Sequence, residues 1–519
     1  MDEVIERPVV REVCPRKKRR KRQKKLLKQL LQDYAKNTTL HGLRYTTENG
    51  LHIVEKVFWL ITFTVSVVLS FYLISKVWTK WTTSPIIVSF AGKPVSVQEV
   101  PLPSITICPA VKFLQSKINF TKIQLDLRDA NKTVDNETLA NVNAINLICD
   151  APFLMTRVLT TDSSMINRLI NVSTDIVDIL DMCFISIYDC EFKAVLTNDG
   201  LCYTYNGLSA QNILNLNSVQ QEYRYSFMET KIKDWTLDKG YTGNKNDAYP
   251  RRGQDSGQKP LINIRLANLE DEKDKLCNAV FAGYKIYLHH PSEWPQAMSY
   301  YFVALPKQET SLAVKVNMVT TSKDLQSAAL NVRQCYFQHE RPLKYFKIYS
   351  YNHCRLECLT NYTYDTCQCV LFHMPFHDST KVCSSFQTSC AMQANFKFGK
   401  KGSDLLEKCK CLPACNYIQY DAEFLKTDYE VEDLEEDNAR ERRRHHAKLK
   451  LFFKEPIFTG LHRSELFGLT DFLGTCGGLL GLFLGFSFLS IVEIFYFITF
   501  RVYKKIKADI KSEKLDNPM

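Results

Sequence analysis

The sequence is short of several things. It has no Gly-x-Ser-x-Gly, no His-Glu-x-x-His and no phosphate-binding loop, so the common hydrolase, metalloprotease and nucleotide signatures are missing. The surroundings of His290 and His373 suggest no triad, and no catalytic constellation can be assembled. There is no internal repeat of fixed period. The middle of the chain also lacks net charge. The first 56 residues hold 15 Lys/Arg against 7 Asp/Glu, and the last 19 hold 6 against 3. The whole-chain net of +11 is used up by those two ends, so residues 57–500 sum to zero. A nucleic-acid binder would more often carry a basic face on its folded part, so no nucleic-acid partner is expected. Two basic ends around a neutral middle fit two cytoplasmic tails.

Two stretches lack charge almost entirely. Val57 to Val77 reads VFWLITFTVSVVLSFYLISKV, with Lys76 its one charge. At about 1.5 Å per residue it crosses a hydrocarbon core of about 30 Å. It is too long, and starts too deep in the chain, for a signal peptide. Phe472 to Val492 is uncharged between Asp471 and Glu493, and holds Gly474, Gly477, Gly478, Gly481 and Gly485. A lipid-facing helix has no use for so many glycines. They suit close helix packing, as on a dimerisation face, or non-helical backbone lining a pore. Nine of the ten residues Arg16 to Lys25 are basic, which keeps the N-terminus cytosolic. Attraction to anionic inner-leaflet lipid suits this run better than nuclear import. Two spans return the C-terminus to the cytosol, and Arg501, Lys504, Lys505 and Lys507 agree.

What is present is cysteine. Sixteen of the 18 lie between Cys108 and Cys415, with only Cys14 and Cys476 outside. An even, clustered set reads as a disulfide framework in an oxidising compartment. Sequons at Asn119, Asn131, Asn136, Asn171 and Asn361 fall in the same stretch and are expected to be glycosylated. A sixth, at Asn37, falls in the cytosolic tail. The close pairs Cys367-Gln-Cys369 and Cys409-Lys-Cys411 raise a metal site as rival. Structural zinc takes pairs spaced by two to four, so no metal is expected.

The sequence is expected to divide into a cytoplasmic tail (1–56), a first span (57–77), an extracellular cysteine-rich domain (78–466), a second span (467–500) and a second tail (501–519). In the middle, Ser104 to Cys108 and Lys448 to Phe452 alternate as strands. Ser173 to Met182 reads as a short helix, and Asn212 to Leu216 and Glu340 to Phe346 as further helices. Lys233 to Lys259 reads as an exposed polar loop, either a carrier of ligand or partner specificity or a passive loop. No extracellular ligand is identified. The acidic run Glu430 to Asp437 and the basic run Arg440 to Arg444 read as a charged, solvated loop. Arg440 to Arg443 matches a basic-protease cleavage pattern.

Several motifs line up in order: His41-Gly42, Leu102-Pro-Ser-Ile-Thr-Ile-Cys108-Pro, Gly200-Leu-Cys202-Tyr-Thr-Tyr-Asn206, Cys354-Arg-Leu-Glu-Cys358, Cys367-Gln-Cys369, and Cys409-Lys-Cys411-Leu-Pro-Ala-Cys415. Last comes Gly477 to Ser487, with Glu493 eight residues after Gly485. From about residue 37 to 500 this set resembles the degenerin/epithelial sodium channel family, most like its pickpocket branch. The resemblance implies an α+β membrane protein with two transmembrane helices. It implies a large disulfide-rich extracellular domain of palm, finger, thumb, knuckle and β-ball, assembled as a trimer. It implies a subunit of a sodium-selective, amiloride-sensitive channel at the plasma membrane, in homotrimers or in heterotrimers with other family subunits. Sodium would be the permeant ion, with no cofactor.

The resemblance also implies roles. Gly485, Phe486 and Ser487 match the selectivity belt, where backbone carbonyls and hydroxyls would replace water around sodium. The family's middle residue is often small, so the Phe486 ring is expected to pack away from the axis. His41 and Gly42 match a cytoplasmic gating motif. Gly474 matches a position where a bulky side chain would hold the pore open, and Gly481 one associated with amiloride block. A ring of Glu493 carboxylates below the filter would concentrate cations, and Asp471 would do likewise at the outer mouth. The alternative for both acids is a helix-end charge at the lipid interface. In several relatives an Asp follows the degenerin position; Thr475 stands there in this chain. The implied disulfides are Cys108–Cys202, Cys183–Cys190, Cys335–Cys415, Cys354–Cys411, Cys358–Cys409, Cys367–Cys390 and Cys369–Cys383. Cys149 and Cys277 are left over, a pair by arithmetic alone.

Two other readings fit two spans. An ATP-gated trimeric channel would need a Lys/Arg cluster in a loop that is neutral overall, and its cysteine spacing differs. A two-span scavenger-type lipid receptor would leave the glycines of the second span without a purpose.

Overall fold

In the computed structural model, the described residues run from 28 to 507. The exceptions are 84–85, 130, 150–163, 186–187, 222, 224–230, 244–246, 255, 258–260, 278–281, 296–299, 378, 385–386, 401–407, 430–445 and 506. The basic run Arg16 to Lys25, Cys14, the charged loop with Arg440 to Arg443 and most of the last tail therefore lie outside the described residues. The chain divides into two compact units. One comprises Met1–Ile87 with Glu465–Met519, and the other Val88–Ser464.

The first unit is helical. Ile53–Thr83 is one helix of 31 residues, long and apolar enough to cross a membrane. It runs past Val57 and Val77 at both ends, because the flanking residues keep helical hydrogen bonds. Thr79 and Thr83 hydroxyls, for example, bond to carbonyls four residues back. The second apolar stretch is not one helix. It is two pieces, Leu469–Leu484 and 488–505, bent by 70° at a break.

The second unit is mixed α and β. Its longest strand, Gln308–Thr321, pairs antiparallel with Tyr417–Asp428 along twelve residues, and parallel with Ala447–Phe453. The sheet continues through Ile262–Leu266 to Leu180–Phe184. Ala447–Phe453 alternates strictly between buried and half-buried, as its sequence pattern requires. The outward Lys448 and Lys450 clamp Glu309 at 3.0 and 2.7 Å, which holds its carboxyl below the usual range even though its partial burial acts to raise it. Each inward aliphatic residue contributes about 1.5–3 kcal/mol.

A second, five-stranded antiparallel sheet runs Phe302–Ala304, Tyr284–His289, Ser104–Pro109, Gly200–Tyr205, Phe192–Thr197. Alternation in Ser104–Pro109 predicts one wet face, yet all six residues are buried. The polar rungs survive burial because they pair with one another. Thr106 and Thr204 hydroxyls meet at 2.7 Å, and His289 Nε2 reaches Thr106 Oγ1 at 2.8 Å.

Three local expectations change. Ser173 to Met182 is not one helix: Ile176–Ile179 makes a single turn, and Leu180 onward joins the sheet. Glu340 to Phe346 is not helical. Pro342 lacks the N–H that a helix needs, and tertiary partners take the other backbone groups. Asn215 Nδ2 donates to the Leu343 and Lys344 carbonyls at 3.1 and 3.0 Å, and Glu357 accepts the Tyr345 N–H at 3.0 Å. The turn near Asn212 falls at Ala210–Ile213. The described residues of the loop Lys233 to Lys259 fold against the body. Trp235 and Ala248 are buried, Trp235–Thr236 pairs with Gly240–Tyr241, and Arg252 lies over the Tyr241 ring.

Four histidines of this unit are enclosed and held neutral by burial: His289, His353 and His373 at about 4 and His290 at about 3. Each favours folding in full above pH about 6.5 and loses that contribution as pH falls toward 4. Burial lifts Glu293 the other way, to about 7. Its cost is fully present above pH 7 and is relieved toward pH 4.5. Four groups oppose one, so the melting temperature of the detergent-solubilised protein should fall between pH 7 and pH 5. A melting temperature that rises over this interval would contradict the assignment.

Candidate functional site

The break in the second apolar stretch is written by Gly485 and Ser487. Asp471 caps the first half-helix, accepting the Gly468 N–H at 3.1 Å. That helix stops at Gly485, which takes the left-handed conformation at φ +63°. Its N–H bonds to the Gly481 carbonyl at 2.9 Å, a common glycine terminus. Ser487 is extended and caps the second half-helix, Phe488–Tyr496. Its carbonyl accepts the Ser490 N–H at 3.0 Å, and its own N–H donates to the buried Ser490 hydroxyl at 3.2 Å. A glycine stop followed by a serine start leaves 485–487 as non-helical backbone. The negative end of one helix there faces the positive end of the next.

Residues 28–37 are helical, and the chain then turns through 40–43 beside this break. The His41 N–H donates to the Leu484 carbonyl at 3.0 Å. The His41 ring fills the place where a β-carbon on Gly485 would stand, 2.7 to 2.8 Å from it. Gly42 has φ +84°, while a β-carbon there would meet only ordinary contacts with Trp59 and Phe63. Its requirement is therefore conformational rather than spatial.

Two residues before His41, the Thr39 hydroxyl donates to Glu493 Oε2 at 2.8 Å, and the Thr39 N–H reaches the same oxygen at 3.2 Å. The same hydroxyl lies 3.1 Å from Ser490 Oγ, which lies 3.4 Å from Ser487 Oγ. Glu493 Oε1 is buried and has no hydrogen-bond partner among the described residues. Further along, Arg501 donates to both carboxylate oxygens of Asp33 at 3.1 and 3.2 Å, and Lys505 lies at 3.7 Å. A bidentate pair fixes geometry better than a single contact. Ser490 and Asp33 carried no signal in the sequence; Thr39 stood out only as part of the Asn37 sequon, and Arg501 only as one of the basic residues after the second apolar stretch.

Three other glycines of this stretch face open space. A β-carbon on Gly474, Gly477 or Gly478 would meet nothing within 4 Å, and one on Gly481 would meet the Phe486 carbonyl at 3.8 Å. Gly474 and Asp471 are exposed.

In the second unit eight disulfides are formed: Cys108–Cys202, Cys149–Cys277, Cys183–Cys190, Cys335–Cys415, Cys354–Cys411, Cys358–Cys409, Cys367–Cys390 and Cys369–Cys383. Cys354 and Cys358 are four apart on the helix Tyr351–Cys367, while Cys411 and Cys409 are two apart. Lys410, between Cys409 and Cys411, is left-handed at φ +52°, so the chain bends between the two rungs. Among the described residues Cys476 is the free cysteine, and no cluster of three His, Cys, Asp or Glu is placed to hold a metal. Asn119, Asn131, Asn136, Asn171 and Asn361 are all exposed.

Comparison with known proteins adds to this geometry. Residues 34–497 match the family described as amiloride-sensitive sodium channel. Pickpocket protein 28 of Drosophila melanogaster is 30% identical over 92% of this chain and 79% of its own length. Sodium channel protein Nach of the same organism is 21% identical over 94% of the chain and 91% of its own length. Human acid-sensing ion channel 2 is 23% identical over 94% of the chain and 89% of its own length.

Proposed function

We propose, from the premise that this chain belongs to the amiloride-sensitive sodium channel family, that it is one subunit of a sodium-conducting channel whose pore passes Gly485, Phe486 and Ser487. The family is one of ion channels, and the chain is not an enzyme. The ATP-gated and scavenger-type alternatives give way to it.

The observation that carries the reading is the stop–start break with His41 lodged against it. Non-helical backbone at membrane depth is tolerated where it lines a water-filled cavity or is buried in protein. Such backbone offers carbonyl and hydroxyl oxygens to a hard cation without trapping it. In this reading Ile53–Thr83 and the bent pair are the two spans, both termini are cytosolic, and the subunit sits in the plasma membrane. Three copies, or this chain with related subunits, close the pore. The open faces of Gly474, Gly477 and Gly478 are where neighbouring subunits pack. Three Glu493 carboxylates, each oriented by Thr39, line the cytosolic side of the belt and raise local cation concentration. His41, Gly42 and Thr39 tie the N-terminal segment to the belt, so a movement of one reaches the other. Gly481 and Asp471 supply the amiloride-sensitive and outer-mouth positions.

The test is whole-cell current from the chain expressed alone, unmutated and as Gly474→Val, with and without amiloride. Within one chain a β-carbon at Gly474 would meet nothing within 4 Å, so the bulk is directed at neighbouring subunits. The expected outcome is a large inward sodium current in the variant, reduced by amiloride. Absence of current in either form, alone and alongside related subunits, with protein at the cell surface, would sink the reading.

A further inference from the structure

The second unit holds a cavity of about 670 Å³ between the strands Tyr284–His289 and Tyr417–Asp428, at the start of the helix Tyr351–Cys367. That size suits a small organic molecule. Aromatic residues line it: Trp294, Tyr300, Phe302, Tyr417 and Tyr420. Several of these are fixed from behind. Tyr420 donates its hydroxyl to the Pro101 carbonyl at 2.5 Å and stacks on His290. The Trp294 backbone N–H donates to His353 Nε2 at 2.9 Å. Tyr300 stands edge-on to Phe302 at 5.2 Å and is 72% exposed, which puts it at the rim.

Among the described residues the charge of the lining has one sign. Glu293 and Asp421 border the cavity, and no described Lys or Arg does. His289 and His290 line it too, but burial keeps both neutral. The Glu293 carboxyl is bonded by Asn352 Nδ2 at 3.1 Å and meets no cation among the described residues. An enclosed carboxyl without a counter-ion is costly, as its rise to about 7 reflects. A metal ion does not answer the need. Calcium takes six to eight oxygens, and the described residues offer no such set. Aromatic faces around a carboxylate are instead the chemistry that recognises an ammonium group.

We propose that this cavity binds a small organic cation with an ammonium head, with Glu293 as counter-ion and Trp294, Tyr300 and Tyr420 as aromatic walls. The site lies outside the pore-forming unit, so it would act as a ligand site separate from conduction.

The test uses the detergent-solubilised full-length protein and benzyltrimethylammonium, whose charge does not vary with pH, followed by calorimetric titration. Binding does not depend on current, so failure here and failure of the channel reading are separable. Saturable binding is expected. Glu293→Gln keeps the acceptor for Asn352 and should weaken binding at least tenfold. Tyr300→Ala, at the exposed rim, should weaken it several-fold without disturbing the fold. The exposed Glu455→Gln should change nothing. No saturable binding to the unmutated protein, or equal binding by Glu293→Gln, overturns the proposal. So does loss of binding in Glu455→Gln of the same size as in Glu293→Gln, since that would report only general surface charge.

Discussion

Replacing Gly485 with alanine should reduce inward sodium current to background while surface expression stays near normal. Two costs act at once. At φ +63° an L-residue gives up about 1–2 kcal/mol. The added β-carbon would also stand 2.7 Å from the His41 ring, closer than such contacts occur. Either the ring leaves or the turn at 485–487 opens, and both move the oxygens that face the ion. Catalytic and conducting geometries tolerate little displacement, and a shift of about 1 Å is enough to spoil them. Gly481→Ala is the internal control. It lies four residues earlier in regular helix, and its β-carbon would make an ordinary 3.8 Å contact with the Phe486 carbonyl. It should keep most of the current. Equal currents from both variants, measured against biotinylated surface protein, would mean that the break does not set the conducting geometry.

The second large effect is expected in the other unit and concerns folding. Gly283→Ala should abolish surface expression. Its φ is +109°, outside the range that alanine tolerates, and an added β-carbon would collide with the Ala304 carbonyl oxygen. Leu305 Cα and Ala304 C lie at 3.2 and 3.3 Å, so backbone surrounds the position on that side. Relief by a side-chain rotation is not available. Ala304 cannot retreat, because it is paired with Tyr284, the residue next to the glycine. The Gly283 carbonyl also accepts the Ala110 N–H at 2.9 Å, so a shift there disturbs the adjoining strand. The combined cost is roughly 3 kcal/mol or more, a large share of the about 5–15 kcal/mol that holds a domain folded. Gly257→Ala separates the two causes. Its φ is +86° but nothing lies within 4 Å, so it should lose only about 1 kcal/mol and reach the surface. Normal surface levels of Gly283→Ala would show that the strand Phe302–Ala304 yields more easily than its pairing indicates.

Much of this architecture can be read along the chain. The apolar run Val57 to Val77, with Lys76 its one charge, appears as the core of one helix. The sixteen cysteines clustered in 108–415 appear as a disulfide-stapled mixed domain. Gly485 and Ser487 themselves are a helix stop and a helix start, and steric limits on one or two residues suffice to produce the break. The helix Tyr351–Cys367 was harder to see because its inward face is built from cysteine, histidine and threonine as much as from aliphatic residues, which blurs the hydrophobic period. Glu340 to Phe346 looked helical but gave its backbone groups to Asn215 and Glu357, which are 125 and 17 positions away from Glu340.

The sequence by itself determined what depends on neighbours in the chain: span length, charge at the two ends, strand alternation and the three-residue break. Tertiary structure alone decided who meets whom. Thr39 finds Glu493 across 454 positions, Asp33 finds Arg501 across 468, and Tyr420 reaches the cavity of Glu293 across 127. Local conformation is limited by clashes within a residue or two, so a short window encodes it. Distant pairings are selected by the burial and hydrogen bonding of the whole fold together, and no window of sequence contains that sum.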